Sequence, residues 1–446
     1  MQIPIMAGTT VKDGEFVASY PVNLQPRVID SGVSKGQLVT APGAQEIATG
    51  PGKDRGGIVW NDVHYRVMGS KLVSVSATGT VAALADVGDD GSPAGLDYGF
   101  GRLAIRSSQR LYYWNGSALS DVTDPDLGVV KDMLWIDGYY ATTDGEYIIV
   151  TDLNDPLSVN PTRYGSAEED PDAITGLLKY REELYALGRH TIQPFQNVGG
   201  NGFPFQTVTG GMIPVGCVSA TAKCMVGGDG FAFVGSARGE PLSVWYYGGG
   251  AATRLSDDRI DDDLAVELHP EAIEMECRAF PGERQIIVHL AGKSWALSLS
   301  TTEAASKSAW FALQSGAFGP YRLRHAVLHG TRHIVGDTQS NRLGVLTGEK
   351  HFGEAADWRF DAALLFDPAG ALVSEIELFG QFPLEPNAVF FSMTRDGVQW
   401  SREVSRALTG RRDERVIWRP NVELRTMGAF RWRGRGRVAI ARCEAS

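Results

Sequence analysis

Between Tyr139 and Val198 apolar and polar residues alternate in short runs cut by turn residues. Tyr139–Thr142 and Glu146–Asp152 are two such runs, with Asp144-Gly145 between them. A connection rich in Pro and Asn follows from Asn154 to Pro161, and then Ala173–Lys179, Glu183–Gly188 and Thr191–Asn197 alternate again. A period of two places successive side chains on opposite faces of a strand, and Asp-Gly accepts the positive φ of a tight hairpin. The pattern predicts strands here, also across Thr175–Tyr185, where a helix is the competing reading.

The same figure recurs along most of the chain. Gly57–Trp60, Val63–Met68, Lys71–Ser76 and Val81–Val87 form one four-stranded unit, broken at Asn61-Asp62, Gly69-Ser70 and Gly79. Tyr98–Arg106, Arg110–Trp114 and Ala118–Val122 form a second, with Asn115-Gly116 as a hairpin. Further units cover 132–152, 173–209, 218–255, 273–299 and 310–346. Their spacing of roughly 40 residues is that of propeller blades, whose stacking buries both faces of each small sheet. The fold class is therefore all-β: a β-propeller of six or seven blades, with an extended N-terminal arm and a C-terminal β-sandwich. A pair of β-sandwiches would require less regular spacing. The expected domains are the arm at 1–50, the propeller at 51–350 and the sandwich at 351–446.

The arm is punctuated by Pro4, Pro21, Pro26 and Pro42, yet eleven residues from Phe16 to Val39 are apolar or aromatic. Such a segment should lie across another surface or supply a strand. Past Lys350 longer strands are expected at Trp358–Phe366 and Ala371–Phe379, joined by a turn at Asp367-Pro368-Ala369-Gly370. Ala388–Thr394, Gln399–Val404, Arg415–Arg419, Glu423–Arg433 and Arg437–Cys443 follow.

Composition sharpens this reading. The 446 residues include 53 Gly, well above the usual ~7%, which favours turns and short strands over long helices. The net charge of −11 argues against a protein that wraps DNA. Only the C-terminus is basic, with twelve Arg and five acids between Ser401 and Ser446. Four cysteines without a CxxC pair exclude a disulfide framework and a Cys-based zinc site, and fit cytosolic assembly. The start of the chain lacks a signal-peptide pattern, and no run of 18 apolar residues suggests a membrane span.

No catalytic, cofactor-binding or metal-binding residue can be nominated. The run Asp257–Asp263 could offer oxygen ligands to calcium but lacks the glycine and terminal glutamate of an EF-hand loop, and it reads as a solvated loop. His325, His329 and His333 would share one face of a helix, but strand geometry separates them. Ser392 through Trp400, with Asp396-Gly397, resembles the Asp-box of sialidases, a device that braces a hairpin turn. The aromatic content and that turn keep open a rival reading as a propeller glycosidase, lyase or glycan-binding protein. No carboxylate pair has a geometric reason to be chosen for it.

A family resemblance rests on an ordered set of motifs. Tyr20-Pro21-Val22-Asn23 comes first, then Tyr65-Arg66-Val67 with Gly69 and Lys71-Leu72. Thr151-Asp152-Leu153, Pro161-Thr162-Arg163-Tyr164, Ala167-Glu168 and Pro171-Asp172-Ala173-Ile174-Thr175-Gly176 follow. Thr394-Arg395-Asp396-Gly397 with Arg402-Glu403, Arg415-Val416-Ile417-Trp418-Arg419 and Gly428-Ala429-Phe430-Arg431 close the series. In this set the chain resembles the packaged-DNA stabilisation (tail hub) family of short-tailed phages. Residues 199–348 match it in texture only.

The resemblance implies a structural virion protein with no cofactor and no enzymatic activity. It would form a hexameric ring under a portal-bound adaptor and hold a tail needle, tip or tailspike beneath. Duplex DNA would pass through its channel with weak contact and be retained after packaging. For such a protein the informative residues lie on surfaces. The arm residues Tyr20, Pro21, Asn23 and Arg27 and the C-terminal Arg411, Arg412, Arg415, Arg419, Arg431 and Arg433 are the interface candidates, since arginine pairs well with carboxylates and is enriched at interfaces. Trp418, Phe430 and Trp432 alternate with arginines, as on a strand with one buried face.

Overall fold

The computed structural model describes residues 2–6, 8–12, 15–29, 34–153, 155–167, 172–200, 202–365, 370–383, 387–411, 414–425 and 427–446. The chain divides into two compact units. One holds Glu46–Cys277 with Leu323–Leu346; the other holds Met1–Gln45, Arg278–Arg322 and Thr347–Ser446.

In the first unit the period-two runs form five antiparallel four-stranded sheets. The first sheet consists of Asp54–Trp60, Val63–Met68, Lys71–Val75 and Val81–Asp86. The others span 95–121, 132–166, 174–207 and 223–254. A last sheet contains Leu323–His329, Arg332–Asp337 and Arg342–Gly348. Residues 46–49, ahead of the first sheet, lie beside its third strand, and the Gly50 N–H donates to the Asn341 carbonyl at 2.8 Å. The architecture is a β-propeller, and seven repeats are present among the described residues. The remaining repeat contributes Glu283–His289, Ser294–Ser298 and Trp310–Leu313 to the second unit.

Apolar side chains fill the spaces between sheets. Tyr65, Val67 and Leu72 of the first sheet pack with Leu103, Ile105 and Trp114 of the second. The opposite face of the first sheet, through Met68, Val73 and Val75, packs on Ile334, Leu343 and Val345 of the last. Inner-strand carboxylates tie successive sheets by accepting backbone N–H groups. Asp97 accepts from Trp135 at 2.7 Å, Asp132 from Leu177 at 2.9 Å and Glu276 from Ala326 at 2.7 Å.

A buried ionic network sits where the first and last sheets meet. The Arg66 guanidinium donates to both Asp54 carboxylate oxygens at 2.6 Å and to the His325 carbonyl at 2.8 Å. The His325 ring lies 2.7 Å from Asp54 through Nδ1 and 2.8 Å from Glu274 through Nε2. Arg324 donates to the other oxygen of Glu274 at 2.6 Å. His325 takes φ 54° at a β-bulge, which turns its ring toward both carboxylates. Burial alone would raise the Asp54 carboxyl, but Arg66 and His325 outweigh it and hold the group far below the usual range. Burial would likewise lower the His325 ring; Glu274 and Asp54 prevail and push it up to about 10.

The second unit carries the C-terminal β-sandwich. One sheet runs Leu24–Val28, Gly36–Thr40, Ala439–Ala445, Ile376–Gln381, Val416–Trp418, with Gln2–Ile3 also on Ala439–Ala445. The other runs Asp357–Leu365, Met427–Arg435, Asn387–Thr394, Val404–Leu408. Between them lie Phe360, Phe391, Phe430, Trp432, Leu378 and Ile440, and the N-terminal segment adds Leu24 and Leu38 to this same core. Burying a side chain such as Phe430 stabilises by roughly 1.5–3 kcal/mol.

Several local expectations are corrected. The acidic run is a helix, Asp258–Ala265, and not a loop: Asp257 caps it by accepting from the Ile260 N–H at 3.2 Å, and Arg259 pairs with Asp263 at 3.0 Å. Tyr98–Arg106 is two strands, because Phe100-Gly101 turns at φ 53° and 65°. Of the connection expected at 154–161, residues 155–161 lie on a strand, Asp155–Ser166, whose pairing with Tyr147–Asp152 shifts register, and Asn154 lies outside the described residues. Trp310 opens no seventh unit; Trp310–Leu313 pairs with Ser294–Ser298. The strand expected at Gln399–Val404 begins at Val404 instead. The turn residues Asp367, Pro368 and Ala369 lie outside the described residues.

Two outcomes follow from the ionic network. Arg66→Met leaves a buried carboxylate short of its main partner and should cost ~3–5 kcal/mol in urea unfolding, while Arg66→Met with Asp54→Leu should recover most of that loss. Because the folded His325 ring titrates above its unfolded value of about 6.5, its contribution is fully present below about pH 6.5 and is lost as pH rises through about 10. Melting scans across that window should therefore fall more steeply for the native chain than for His325→Gln; parallel curves would contradict the assignment.

Candidate interaction surfaces

The arm candidates are largely structural. The Pro21 carbonyl accepts from the Ala312 N–H and the Asn23 N–H donates to the Ala312 carbonyl, both at 2.8 Å. On the opposite side the Val22 N–H donates to the Arg359 carbonyl at 2.8 Å. Residues 21–23 thus bridge the strands Trp310–Leu313 and Asp357–Leu365. Asn23 is buried, adopts φ 56°, donates its amide to the Asp357 carbonyl at 2.7 Å and accepts from the Gln314 N–H at 2.9 Å. The Tyr20 ring meets Trp295 edge-on at 5.7 Å. Arg27 is the outward-facing member, touching Gln25 at 3.3 Å.

The C-terminal arginines form a paired face. Along Met427–Arg435, Phe430 and Trp432 point into the core while Arg431, Arg433 and Arg435 point outward. Arg431 grips Asp361 with two hydrogen bonds of 2.8 and 2.9 Å and lies 3.9 Å over the Trp400 ring. Arg433 pairs with Glu403 at 2.6 Å and covers Phe390 at 4.0 Å. Arg435 pairs with the buried Asp357. Arg415 holds Glu377 at 2.8 Å and Arg419 holds Glu375 at 3.0 Å. The excess positive charge is thereby drawn onto carboxylates of neighbouring strands, and the guanidinium planes cap aromatic rings. Arg411 is exposed; Arg412 lies outside the described residues, as do Glu168 and Pro171 of the family motifs.

The Asp-box-like turn is braced by Thr394 and not by Ser392. Thr394 Oγ1 donates to Asp396 at 2.7 Å, Asp396 accepts from the Val398 and Gln399 N–H groups at 2.9 and 2.8 Å, and Gly397 takes φ 76°. Ser392 is buried on the strand, and Trp400 supports Arg431. Among the described residues no group of three or more His, Cys, Asp or Glu is arranged to hold a metal ion. His325 and His329 sit on one strand and His333 on the next.

Two surface features escaped the sequence. The first is a cleft of about 720 Å³ in the second unit, with Arg27, Lys350, Arg435 and Arg437 on its walls and Phe382 and Pro383 among its apolar lining. Its cations come from three distant stretches, so no local charge run announces it. The second is the segment after the helix Asp258–Ala265, where Val266 is 73% and Leu268 88% exposed. These exposed apolar side chains fall between the expected units 218–255 and 273–299, and the alternation pattern gave no signal for them.

A family model described as bacteriophage P22 Gp10, beta-propeller, matches residues 1–351, and one described as bacteriophage P22 Gp10, beta-sandwich, matches residues 357–446. The tail hub protein gp10 of Salmonella phage P22 is 24% identical, the alignment covering 99% of this chain and 98% of that protein. Among solved structures, the WD40 domain of Pan2 from Neurospora crassa is 12% identical with a TM-score of 0.44, covering 70% of this chain and 98% of that one. Virginiamycin B lyase of Staphylococcus aureus is 9% identical with a TM-score of 0.43, covering 73% and 98%.

The paired face predicts an ordered set of stabilities. Arg431→Ala strands the buried Asp361 and should cost ~2–3 kcal/mol, whereas Arg419→Ala opens an exposed pair and should cost less than ~1 kcal/mol. Thermal melts of the two variants check this; equal losses would mean that the Arg431 pair is no more than a solvated contact.

Proposed function

Because the chain belongs to the bacteriophage P22 Gp10 family, we propose that it is a structural tail hub protein of a short-tailed phage. In this reading six copies form a ring in the virion tail, continue the channel of a portal-bound adaptor and carry the needle or tip below. The ring helps to retain packaged DNA until ejection. The observation that carries the proposal is the match to the P22 tail hub protein over nearly the whole of both chains, through propeller and sandwich alike.

Physical features support it. A conduit that passes DNA should not grip phosphates along its length, and a chain with net charge −11 suits passage better than clamping. The arginines that could have formed a phosphate-binding face are engaged with carboxylates of the same unit. Retention would then be mechanical, by closure of the tube together with the tip protein. In this reading the arm spans 1–50, the propeller 51–350 and the sandwich 351–446, and the solvent-facing candidates Arg27 and Arg411 are available to contacts of assembly.

Particles assembled without this chain should package DNA to full length and then lose it. Adding the purified chain before the loss should keep the heads full, read as the fraction of DNA-filled particles in a density gradient. Heads that hold their DNA equally well without the chain would refute the retention role.

A further inference from the structure

We propose that the basic cleft receives the acidic segment 256–272 of a second copy of this chain, so that copies join head to tail. The inference deepens the hub reading, on which it rests for the closed ring. The cleft offers Arg27, Lys350 and Arg437, with Arg435 beside them already paired to Asp357, against the single acid Glu349, and its apolar lining includes Phe382 and Pro383. The lining is thus net positive in a chain whose net charge is −11.

The segment has the opposite character. Residues 256–272 contain seven acids and one arginine. Their stem is firm: Asp257 caps the helix Asp258–Ala265, and Ile260 and Leu264 are buried beneath it. Beyond that stem Val266 and Leu268 stand in solvent, Leu268 being 88% exposed. An acidic stem that presents two apolar side chains fits a cleft lined by both cations and apolar side chains, because the charges steer and the apolar pair is desolvated. Duplex DNA fits less well, since phosphates have no use for an apolar lining and meet Glu349 there. The two surfaces are different parts of the chain, so the contact is heterologous, the kind that closes into a ring when the rotation permits.

The test uses the full-length chain and two variants, Lys350→Glu with Arg437→Glu in the cleft, and Leu268→Asp on the segment. All altered residues are exposed, so the melting temperatures should stay near that of the native chain. In sedimentation velocity the native chain should form species larger than a dimer that weaken with added salt. Each variant alone should lose about tenfold or more in association constant. An equimolar mixture of the two should stop at a dimer, because only one sound cleft and one sound segment can meet. Variants that assemble as the native chain does would overturn the inference while leaving the hub reading in place. A native chain that is monomeric at its highest soluble concentration would overturn it as well, and the hub reading would then be judged separately by assembly on the adaptor. Duplex DNA bound by the native chain and released by the cleft variant would assign the cleft to phosphate and overturn it too.

Discussion

A propeller must cover both faces of every sheet, and the demand is hardest where the last sheet meets the first. Here the junction holds a buried carboxylate, Asp54, between the guanidinium of Arg66 and the ring of His325, with Glu274 on the far side of that ring. Burial of such charges costs several kcal/mol each unless the partners are in place. A sheet displaced by one residue would turn these side chains to the wrong face and leave the carboxylate bare. The apolar contact of Met68, Val73 and Val75 with Ile334, Leu343 and Val345 provides the adhesion, and the ionic network fixes the register. The neighbouring His64 shows the reverse balance: burial, then Arg66, pull its ring down to about 3, so it sits neutral beside the charged group.

The N-terminal segment solves a similar problem in the second unit. Residues 21–23 hydrogen-bond to Trp310–Leu313 on one side and to Asp357–Leu365 on the other, and the strands after them complete the sandwich sheet through Ala439–Ala445. Asn23 makes this possible by taking a left-handed conformation that few residues accept and by spending its amide on backbone groups. The motif Tyr20-Pro21-Val22-Asn23 therefore marks a strap that organises the unit from within. Its most distinctive polar residue faces inward, which sets Arg27 apart as the arm candidate that reaches solvent.

Much of the repeat was legible in the sequence because period-two alternation and Asn/Asp/Gly turns are local signals. Asn61-Asp62 turns at φ 49° and 59° as its residue types suggest. What stayed hidden was set by distant partners or by turns in unexpected residues. Phe100-Gly101 follows a strand without a break in hydrophobicity, so two strands read as one. The acidic run looked solvated because its buried apolar residues, Ile260 and Leu264, are only two in eight, and the cap at Asp257 is one more acid among many. The C-terminal arginines were visible, but their carboxylate partners at 357, 361, 375 and 377 lie tens of residues away. The basic cleft needed segments from both ends of the chain.

The proposed hub role requires that copies of this chain form a ring in a virion tail. The measurement closest to that claim is the mass and shape of the purified chain, alone and mixed with adaptor–portal complex, by light scattering and negative-stain imaging. The account predicts a ring of six, either free or formed on the adaptor. A chain that remains a monomer and ignores the adaptor, while binding or cleaving glycans, would contradict it.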